Sequence, residues 1–323
     1  MRKGGLGMLS YVVRRILVAI PVLLGITFIT FALVSFAPGD PISSMLMSGE
    51  QLNPDLADSL REFYGLDQPW YVQYATYLGN LLRGNFGISI ASRAPIGESV
   101  RQFLPNTMLL AFSSMLVALL IAIPAGIVSA TRRNSLFDYG SLTLAMFGVS
   151  MPSFWLGLML MLLFGLQWRV LPVYGMGDWS NGPWDVIRHL IMPSITLGAA
   201  MAALLVRLTR SSLLQVLSQE YIRTARAKGL RERVVLYKHA LRNSLLPVVT
   251  AAGLQFGRLL GGAFIVESIF AWPGMGKYAL YAISVRDYPV IQGTTLVFAL
   301  SFVLVTLLVD VLYTFIDPRI RYS

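Results

Sequence analysis

The chain has 323 residues, of which 55% are hydrophobic and only 13% are charged. A soluble globular domain carries about 25% charged residues, so this density excludes a soluble enzyme, a disordered chain and a coiled coil. The net charge is +10 and cysteine is absent, which excludes disulfides and thiolate metal sites. The apolar residues form long blocks, and we expect an all-α integral membrane protein.

Six apolar stretches are long enough to cross a bilayer, which takes about 20 residues. The first has basic residues before it, as a secretory signal does, but it is longer than the about 7–15 apolar residues of a signal. We therefore interpret it as a true span. The six predicted spans are 16–36, 107–130, 139–165, 189–208, 245–270 and 290–316.

The basic residues indicate how these spans are oriented. Four segments hold 17 of the 26 lysines and arginines, namely 1–15, 131–138, 207–243 and 317–323. With six spans, all four lie on one side of the membrane, and that side is the cytoplasm by the positive-inside rule. We therefore predict that both termini are cytoplasmic and that the positive charge reflects topology, with no nucleic-acid partner.

Two loops are too long to be simple connections. Residues 37–106 are predicted to be extracytoplasmic, with helical spacing at 55–64 and an aromatic amphipathic stretch at 70–82. This region is either a scaffold packed on the spans or a docking surface for an external partner. The other loop, 209–244, is predicted to be cytoplasmic, as is the tail 317–323.

Enzyme motifs are missing from the sequence. The two histidines, His189 and His239, are predicted on opposite sides of the membrane, and no cluster has the spacing of metal ligands. Pro273–Lys277 resembles the end of a phosphate-binding loop, but Ala271 and Tyr278 stand where that loop has Gly and Ser or Thr. We expect no catalytic residues, no metal and no cofactor.

Charged residues inside a span mark functional sites by default. Arg258 lies about 20 Å into the fifth span and Asp310 about 9 Å into the sixth, at 1.5 Å per residue. Pairing between the two stays open, although a helix–helix or interfacial contact suits Asp310 better. For Arg258 and its neighbour Gln255 we favour a polar translocation pathway. No acidic relay lies near the midplane, which disfavours a proton-coupled carrier.

The cytoplasmic loop has the pattern of a helix, a glycine turn and a second helix. Ile222, Ala225 and Gly229 share one face of the predicted first helix. Gly229 stands where a left-handed helix cap is wanted, and Leu230 follows as its apolar contact. A second amphipathic segment, 231–242, leads into the fifth span. The loop is either a solvated basic segment or a knob that fits a groove on a cytoplasmic partner.

This loop resembles the "EAA" loop of permeases from bacterial and archaeal ABC importers, in the version of the B-type subunit of dipeptide and oligopeptide systems. Arg223, Thr224 and Ala225 stand where the general pattern has Glu-Ala-Ala. The Leu-Pro of the general pattern is here Leu241-Arg242, and Pro247 follows later. Matching segments cover the chain, and they are Tyr11–Arg15, Pro38–Pro41, Tyr64–Asp67, Leu81–Gly87, Pro105–Thr107, Ser150–Phe154, Tyr221–Leu230, Trp272–Gly276 and Asp317–Arg321.

The resemblance implies a type I ABC importer permease fold in a bacterial or archaeal plasma membrane. It implies half of a pathway for short peptides, a related C-type permease subunit, two ATP-binding-cassette ATPases that bind ATP-Mg, and an extracytoplasmic solute-binding protein. The implied ATPase-coupling helix comprises Glu220, Tyr221, Arg223, Thr224, Ala225, Arg226, Lys228, Gly229 and Leu230. The implied surface facing the binding protein comprises Trp272, Pro273, Gly274 and Gly276. A nickel complex, glutathione or an oligosaccharide stays open as the solute, and a stand-alone secondary carrier is the rival.

Overall fold

The computed structural model describes residues 4–36 and 67–316. The helical spacing at 55–64 and the tail 317–323 lie outside them. The described residues form helices and no β-strand beyond one bridge between Ile88 and Pro95, so the all-α prediction is confirmed. In chain order the helices are α1 (Gly4–Phe36), α2 (Trp70–Leu82), α3 (Ile96–Thr131), α4 (Leu136–Ser150), α5 (Ser153–Leu160), α6 (Pro183–Leu217), α7 (Glu220–Ala227), α8 (Glu232–Val234), α9 (Arg242–Ser244), α10 (Leu246–Leu260), α11 (Phe264–Ile269), α12 (Met275–Ser284) and α13 (Tyr288–Ile316).

Within the described residues, four helices are long and apolar enough to cross a membrane, namely α1, α3, α6 and α13. A fifth crossing results if the bent pair of α4 and α5 counts as one span, and α10 is a shorter apolar helix. The total of six spans stays a prediction. The observed helices also extend beyond the predicted spans, since α3 begins at Ile96 and α6 runs from Pro183 to Leu217.

Helices α3 and α6 pack along each other and form the centre of the fold. Small residues at their contact let the two backbones approach closely, as is common between membrane helices. A Cβ atom at Gly126 would lie 2.5 Å from Thr209 Cβ, and one at Gly198 would lie 2.8 Å from the Ser114 carbonyl oxygen. Ala118 and other small side chains fill the rest of this contact, together with Met201 and Leu205.

The third predicted span is not one straight helix. It breaks between α4 and α5, whose axes differ by 98°. Met151 stands before Pro152 and has an extended ψ of 126°, because a proline disfavours helical geometry at the residue that precedes it. After the bend, α5 continues as a π-helical stretch, Met161–Gln167.

The fifth predicted span, 245–270, is also interrupted. Helix α10 ends at Leu260, and Gly262 adopts φ +113° before α11 begins at Phe264. Helix α10 packs against α13 through Gly253 and Gly257, where a side chain would overlap Val309 and Phe302. Helices α11 and α12 follow, and they pack against each other and against α3, α5 and α13.

An ion pair joins the first and last helices. Arg15 Nη2 of α1 lies 2.8 Å from Asp310 Oδ2 of α13. Asp310 is therefore a helix–helix contact, which was the interpretation favoured from the sequence, and its partner is Arg15 and not Arg258. The pair brings the N-terminal end of α1 to the C-terminal part of α13.

Candidate docking site

Helix α7 projects from the ends of the long helices and rests on an apolar socket. Ile222 is fully buried and Ala225 is 8% exposed. These two side chains pack in one cluster with residues from the C-terminal parts of α3 and α6 and from the helical segment after α7. We call this cluster the α7 socket, and it comprises Ile127, Ala130, Leu213, Ile222, Ala225, Val235 and Ala240.

The turn after α7 is a complete Schellman cap. Gly229 adopts φ +75°, and its N–H donates to the Arg226 carbonyl over 2.9 Å. The Leu230 N–H donates to the Ala225 carbonyl over 3.4 Å. Both hydrogen bonds belong to this motif, so the cap predicted from Gly229 and Leu230 is confirmed as local geometry.

The opposite side of α7 is open to solvent. Tyr221, Arg223, Thr224 and Lys228 are exposed, and Leu230 retains 40% of its surface. Two ion pairs brace this side, from Arg223 to Glu220 over 2.8 Å and from Arg226 to Glu232 over 2.7 Å. The Arg226 guanidinium lowers the pKa of the Glu232 carboxyl below its usual value by hydrogen bonding. The exposed side can therefore offer both basic and apolar groups to another protein.

A buried carboxylate holds the helices next to the α7 socket. Asp138 is 1% exposed and accepts two hydrogen bonds from Arg210 of α6, each over 2.7 Å. It also accepts from the Ser129 hydroxyl of α3 and from the Asn134 N–H. We call this the Asp138 cluster. It links α3, α4 and α6 within one helical turn of Ile127, Ala130 and Leu213, which line the socket.

The two residues predicted for a translocation pathway lie on α10. Arg258 is exposed, and the described part of the chain gives it no ion pair. The Gln255 side-chain nitrogen is buried and lacks a hydrogen-bond partner among the described residues. Both side chains thus have polar groups without a partner among the described residues, and their role in a pathway stays a prediction.

At the other end of α3, the segment Trp272–Gly276 is mostly buried. Trp272 has no exposed surface, and its indole N–H donates to the Asn106 carbonyl over 3.0 Å. The Asn106 side-chain amide in turn donates to the Pro273 carbonyl over 2.8 Å. Trp272, Gly274 and Gly276 therefore have little surface to offer an external protein, and a binding-protein contact through them stays a prediction.

Glu267 of α11 packs against this buried segment and accepts hydrogen bonds beside it. It has no exposed surface, and Oε1 accepts from the Thr107 hydroxyl over 2.8 Å while Oε2 accepts from the Lys277 N–H over 2.9 Å. The Thr107 oxygen also accepts from the Met275 N–H. Any side chain at Gly274 would overlap the Glu267 carboxylate. We call these residues, with Asn106 and Trp272, the outer clasp.

Sequence reasoning missed Glu267, although it lies inside the fifth predicted span. Its signal was available, because an acidic residue in an apolar block needs a partner. The partner is Thr107, 160 residues away, and the backbone N–H groups at the start of α12 add the favourable end of a helix dipole. No local pattern connects these positions.

Comparison with known proteins supplies the deciding observation. The family described as "Binding-protein-dependent transport system inner membrane component" matches residues 122–322. The family described as its N-terminal membrane component matches residues 8–111. The chain belongs to this family. It is therefore a multi-pass permease of the inner, or plasma, membrane, and the resemblance read from the cytoplasmic loop is confirmed.

Relatives match this permease over nearly its full length. The dipeptide transport system permease protein DppB of Alkalihalophilus pseudofirmus is 45% identical, covering 98% of this chain and 100% of the relative. The glutathione transport system permease protein GsiC of Escherichia coli K12 is 44% identical, with the same coverage. DppB of Escherichia coli K12 is 43% identical, again over 98% and 100%.

Solved structures support the fold of this permease. Two crystal forms of the inward-facing MetNI methionine ABC transporter match with TM-scores of 0.56 and 0.52. Each match covers 68% of this chain and 96% of the other, at 15% and 17% identity. At that identity the likeness concerns the fold alone, and the fold is that of a type I ABC importer permease.

Proposed function

We propose that this permease forms half of the translocation pathway of an ABC importer for short peptides. Its partners are a related C-type permease subunit, two ATPase subunits that carry ATP-Mg and hydrolyse ATP, and an extracytoplasmic binding protein that delivers the solute. The chain itself has no catalytic role in this proposal.

One observation carries the coupling part of the proposal, namely the form of α7. It is a short capped helix with a buried apolar side and an open basic side, which is the form of a helix that docks into a groove on another protein. The residues proposed to contact the ATPase are those of the open side and the turn, which are Glu220, Tyr221, Arg223, Thr224, Arg226, Lys228, Gly229 and Leu230. Ala225 instead seats the helix in the α7 socket.

The packing supports the proposed orientation with both termini in the cytoplasm. The basic segment 131–138 follows α3 directly, next to the α7 socket. The pair between Arg15 and Asp310 joins the N-terminal part of α1 to the C-terminal part of α13. For the basic residues that the structure describes, this packing agrees with the positive-inside rule. Six spans follow if α4 with α5, and α10 with α11, each cross once.

The names of the relatives support a peptide as the solute. The relatives named above are permeases of dipeptide and of glutathione systems, and glutathione is itself a short peptide. We place di- and oligopeptides first and glutathione second. A nickel complex, an oligosaccharide and a stand-alone carrier have no observation here in their favour.

Purification tests the assembly. The tagged protein would be extracted in mild detergent from its native host, and co-purifying proteins would be quantified by mass spectrometry. Two ATPase chains and one second permease per copy are expected. A chain that purifies alone and intact in every gentle detergent would contradict the proposal and favour a carrier.

Transport assays then test the solute. The purified complex in liposomes would receive its binding protein preloaded with a dipeptide or with glutathione, and ATP hydrolysis and uptake would be measured. Stimulation by the dipeptide supports the first choice, and stimulation by glutathione alone supports the second. ATP-independent uptake by this chain alone would overturn both.

A further inference from the structure

Helix α2 packs beside the second half of α1 and not beyond its end. The ring of Tyr74 lies 5.5 Å from that of Phe28 and 5.3 Å from that of Phe31, between ring centroids. Trp70 lies 6.5 Å from Phe28, and Tyr77 lies 6.3 Å from Phe31. Four aromatic contacts therefore join α2 to a stretch of α1 that is well inside its apolar segment.

The depth of this contact follows from the helix geometry. The apolar stretch of α1 without charged residues is 16–36, and Leu24 lies close to its midpoint. The Tyr74 hydroxyl donates to the Leu24 carbonyl over 3.3 Å and lies 3.1 Å from the Thr27 hydroxyl. At 1.5 Å per residue, Leu24 is about 16 Å from the Ser35 end, or about half the thickness of a hydrocarbon core of about 30 Å.

The composition of α2 suits that depth. No charged residue occurs between Asp67 and Arg83, so the whole helix is uncharged and charges stand only at its flanks. Its exposed side carries Trp70, Tyr71 and Leu82, which retain 55%, 59% and 89% of their surface. Tyrosine and tryptophan are the residues enriched where helices meet the membrane interface. The Tyr74 hydroxyl, which reaches the Leu24 carbonyl, is hydrogen-bonded.

The neighbouring surface of α1 is apolar and exposed as well. Among the four long apolar helices of the described residues, α1 is the least buried inside the molecule. Ile29 and Leu33, which flank the aromatic contacts on α1, are 59% and 68% exposed. The open side of α2 also exposes large apolar and aromatic side chains, and both surfaces need an apolar surrounding.

We propose that α2 is an interfacial helix embedded in the half of the bilayer toward Phe36, with its open side in contact with lipid. The predicted extracytoplasmic region 37–106 would then exclude α2, because α2 would enter the membrane and the chain would leave it again at Arg83. The partner of the open side of α2 is lipid, and neither the binding protein nor the second permease covers it. Its anchor is the hydrogen-bonded Tyr74.

Spin labelling tests this placement cleanly, because the chain has no cysteine and each introduced cysteine carries the only label on this chain. Ala75→Cys and Leu82→Cys label the open side of α2. Leu33→Cys on α1 is the lipid reference, and Leu136→Cys, at a residue that is 88% exposed within the basic segment 131–138, is the aqueous reference. The purified complex, labelled in bilayers, would be exposed to oxygen, which concentrates in lipid, and to a water-soluble nickel chelate.

The expected ratio of oxygen to nickel collisions at residues 75 and 82 is close to that of Leu33→Cys and several-fold above that of Leu136→Cys. Labels that respond like Leu136→Cys would place α2 in water and overturn the proposal. Labels shielded from both reagents would mean that a protein covers the helix, and would overturn it as well.

A second measurement needs no label on the protein. Lipids with a nitroxide on the acyl chain quench nearby tryptophans, and the difference in quenching between the native protein and Trp70→Phe reports on Trp70 alone. A loss of quenched fluorescence in Trp70→Phe is expected, and an unchanged quenched fraction would contradict lipid contact. Neither measurement depends on transport, so a failure here is distinct from a failure of the importer assignment.

Discussion

Two sequence motifs pack near opposite ends of helix α3, and they differ in how much of their surface is buried. At the end near Thr131, the motif of α7 keeps only Ile222 and Ala225 inside and exposes its polar side. At the end near Ile96, the Trp272–Gly276 motif is drawn into the molecule and closed around Glu267. A motif with a recognisable pattern can thus be a surface for a partner or an internal joint. The difference lies in which side chains receive partners from distant helices.

The largest effect is expected at the Asp138 cluster, because its pair is buried next to the α7 socket. Asp138→Asn leaves the Arg210 guanidinium without its carboxylate, and breaking a buried pair typically costs about 3–5 kcal/mol. The free energy of unfolding in detergent, or the thermal midpoint, would measure the loss. Asp138→Leu combined with Arg210→Met is the control, since it removes both charges, and it should recover part of the stability. Equal loss in both variants would contradict a charge-pair role.

The next largest effect is expected at the outer clasp. Gly274→Ala puts a methyl group onto the Glu267 carboxylate, and overpacking of this kind typically costs about 1–3 kcal/mol. The thermal midpoint should fall. Gly79→Ala is the matched control, because a Cβ there meets open space on α2, and alanine in a helix is favoured over glycine by up to about 1 kcal/mol. A Gly274→Ala protein as stable as the native one would argue against the tight clasp.

A moderate effect on stability, with a large effect on coupling, is expected at Gly229. Valine at φ +75° is strained, at roughly 1–2 kcal/mol, although its side chain would meet open space. Gly229→Val should therefore assemble nearly normally while ATP hydrolysis no longer drives uptake. Gly229→Asn, which tolerates the left-handed region, should keep most of the coupling. Uptake per ATP hydrolysed is the measurement, and unchanged uptake in Gly229→Val would count against the coupling role.

The smallest effect is expected at the ion pair between Arg226 and Glu232, which is largely exposed. Glu232→Gln should lower stability by only about 0.2–1 kcal/mol, as is typical of surface pairs. Arg226 depresses the pKa of Glu232 in the folded protein. The contribution of the pair is therefore present at neutral pH and is lost as the pH falls below about 4.5, through the depressed folded-state pKa.

Unfolding midpoints of the native protein and of Glu232→Gln would be compared over that pH range. The difference between the two should shrink in acid. A difference that grows in acid would reverse the sign of this linkage.

Local chemistry was readable from the sequence. The uncharged aromatic stretch at 70–82 is a helix with those bounds, and the cap at Gly229 follows from a glycine after a run of good helix formers. The all-α membrane fold follows from long apolar blocks. These features depend on neighbours within a few residues, so composition and spacing suffice to predict them.

Contacts between residues that are far apart in the sequence could not be predicted from the sequence. The third span was predicted to run through Pro152 without a break, and the structure bends it by 98° there. Asp310 and Arg15 form an ion pair although nearly the whole chain separates them. Asp138 and Arg210 are hydrogen-bonded although they lie 72 residues apart in the sequence. Which charged side chain meets which depends on how the helices rotate about their axes, and spacing along one helix does not determine that rotation.

The sequence by itself determined that this chain is a helical membrane protein with a capped helix in its basic loop, because bilayer thickness and helix capping act through local patterns. Only the tertiary structure decided that Trp272 and Glu267 are internal, that Asp138 holds three helices together, and that α2 packs beside the second half of α1. A buried polar group must find its partner wherever packing brings one, and that partner is a matter of three-dimensional proximity.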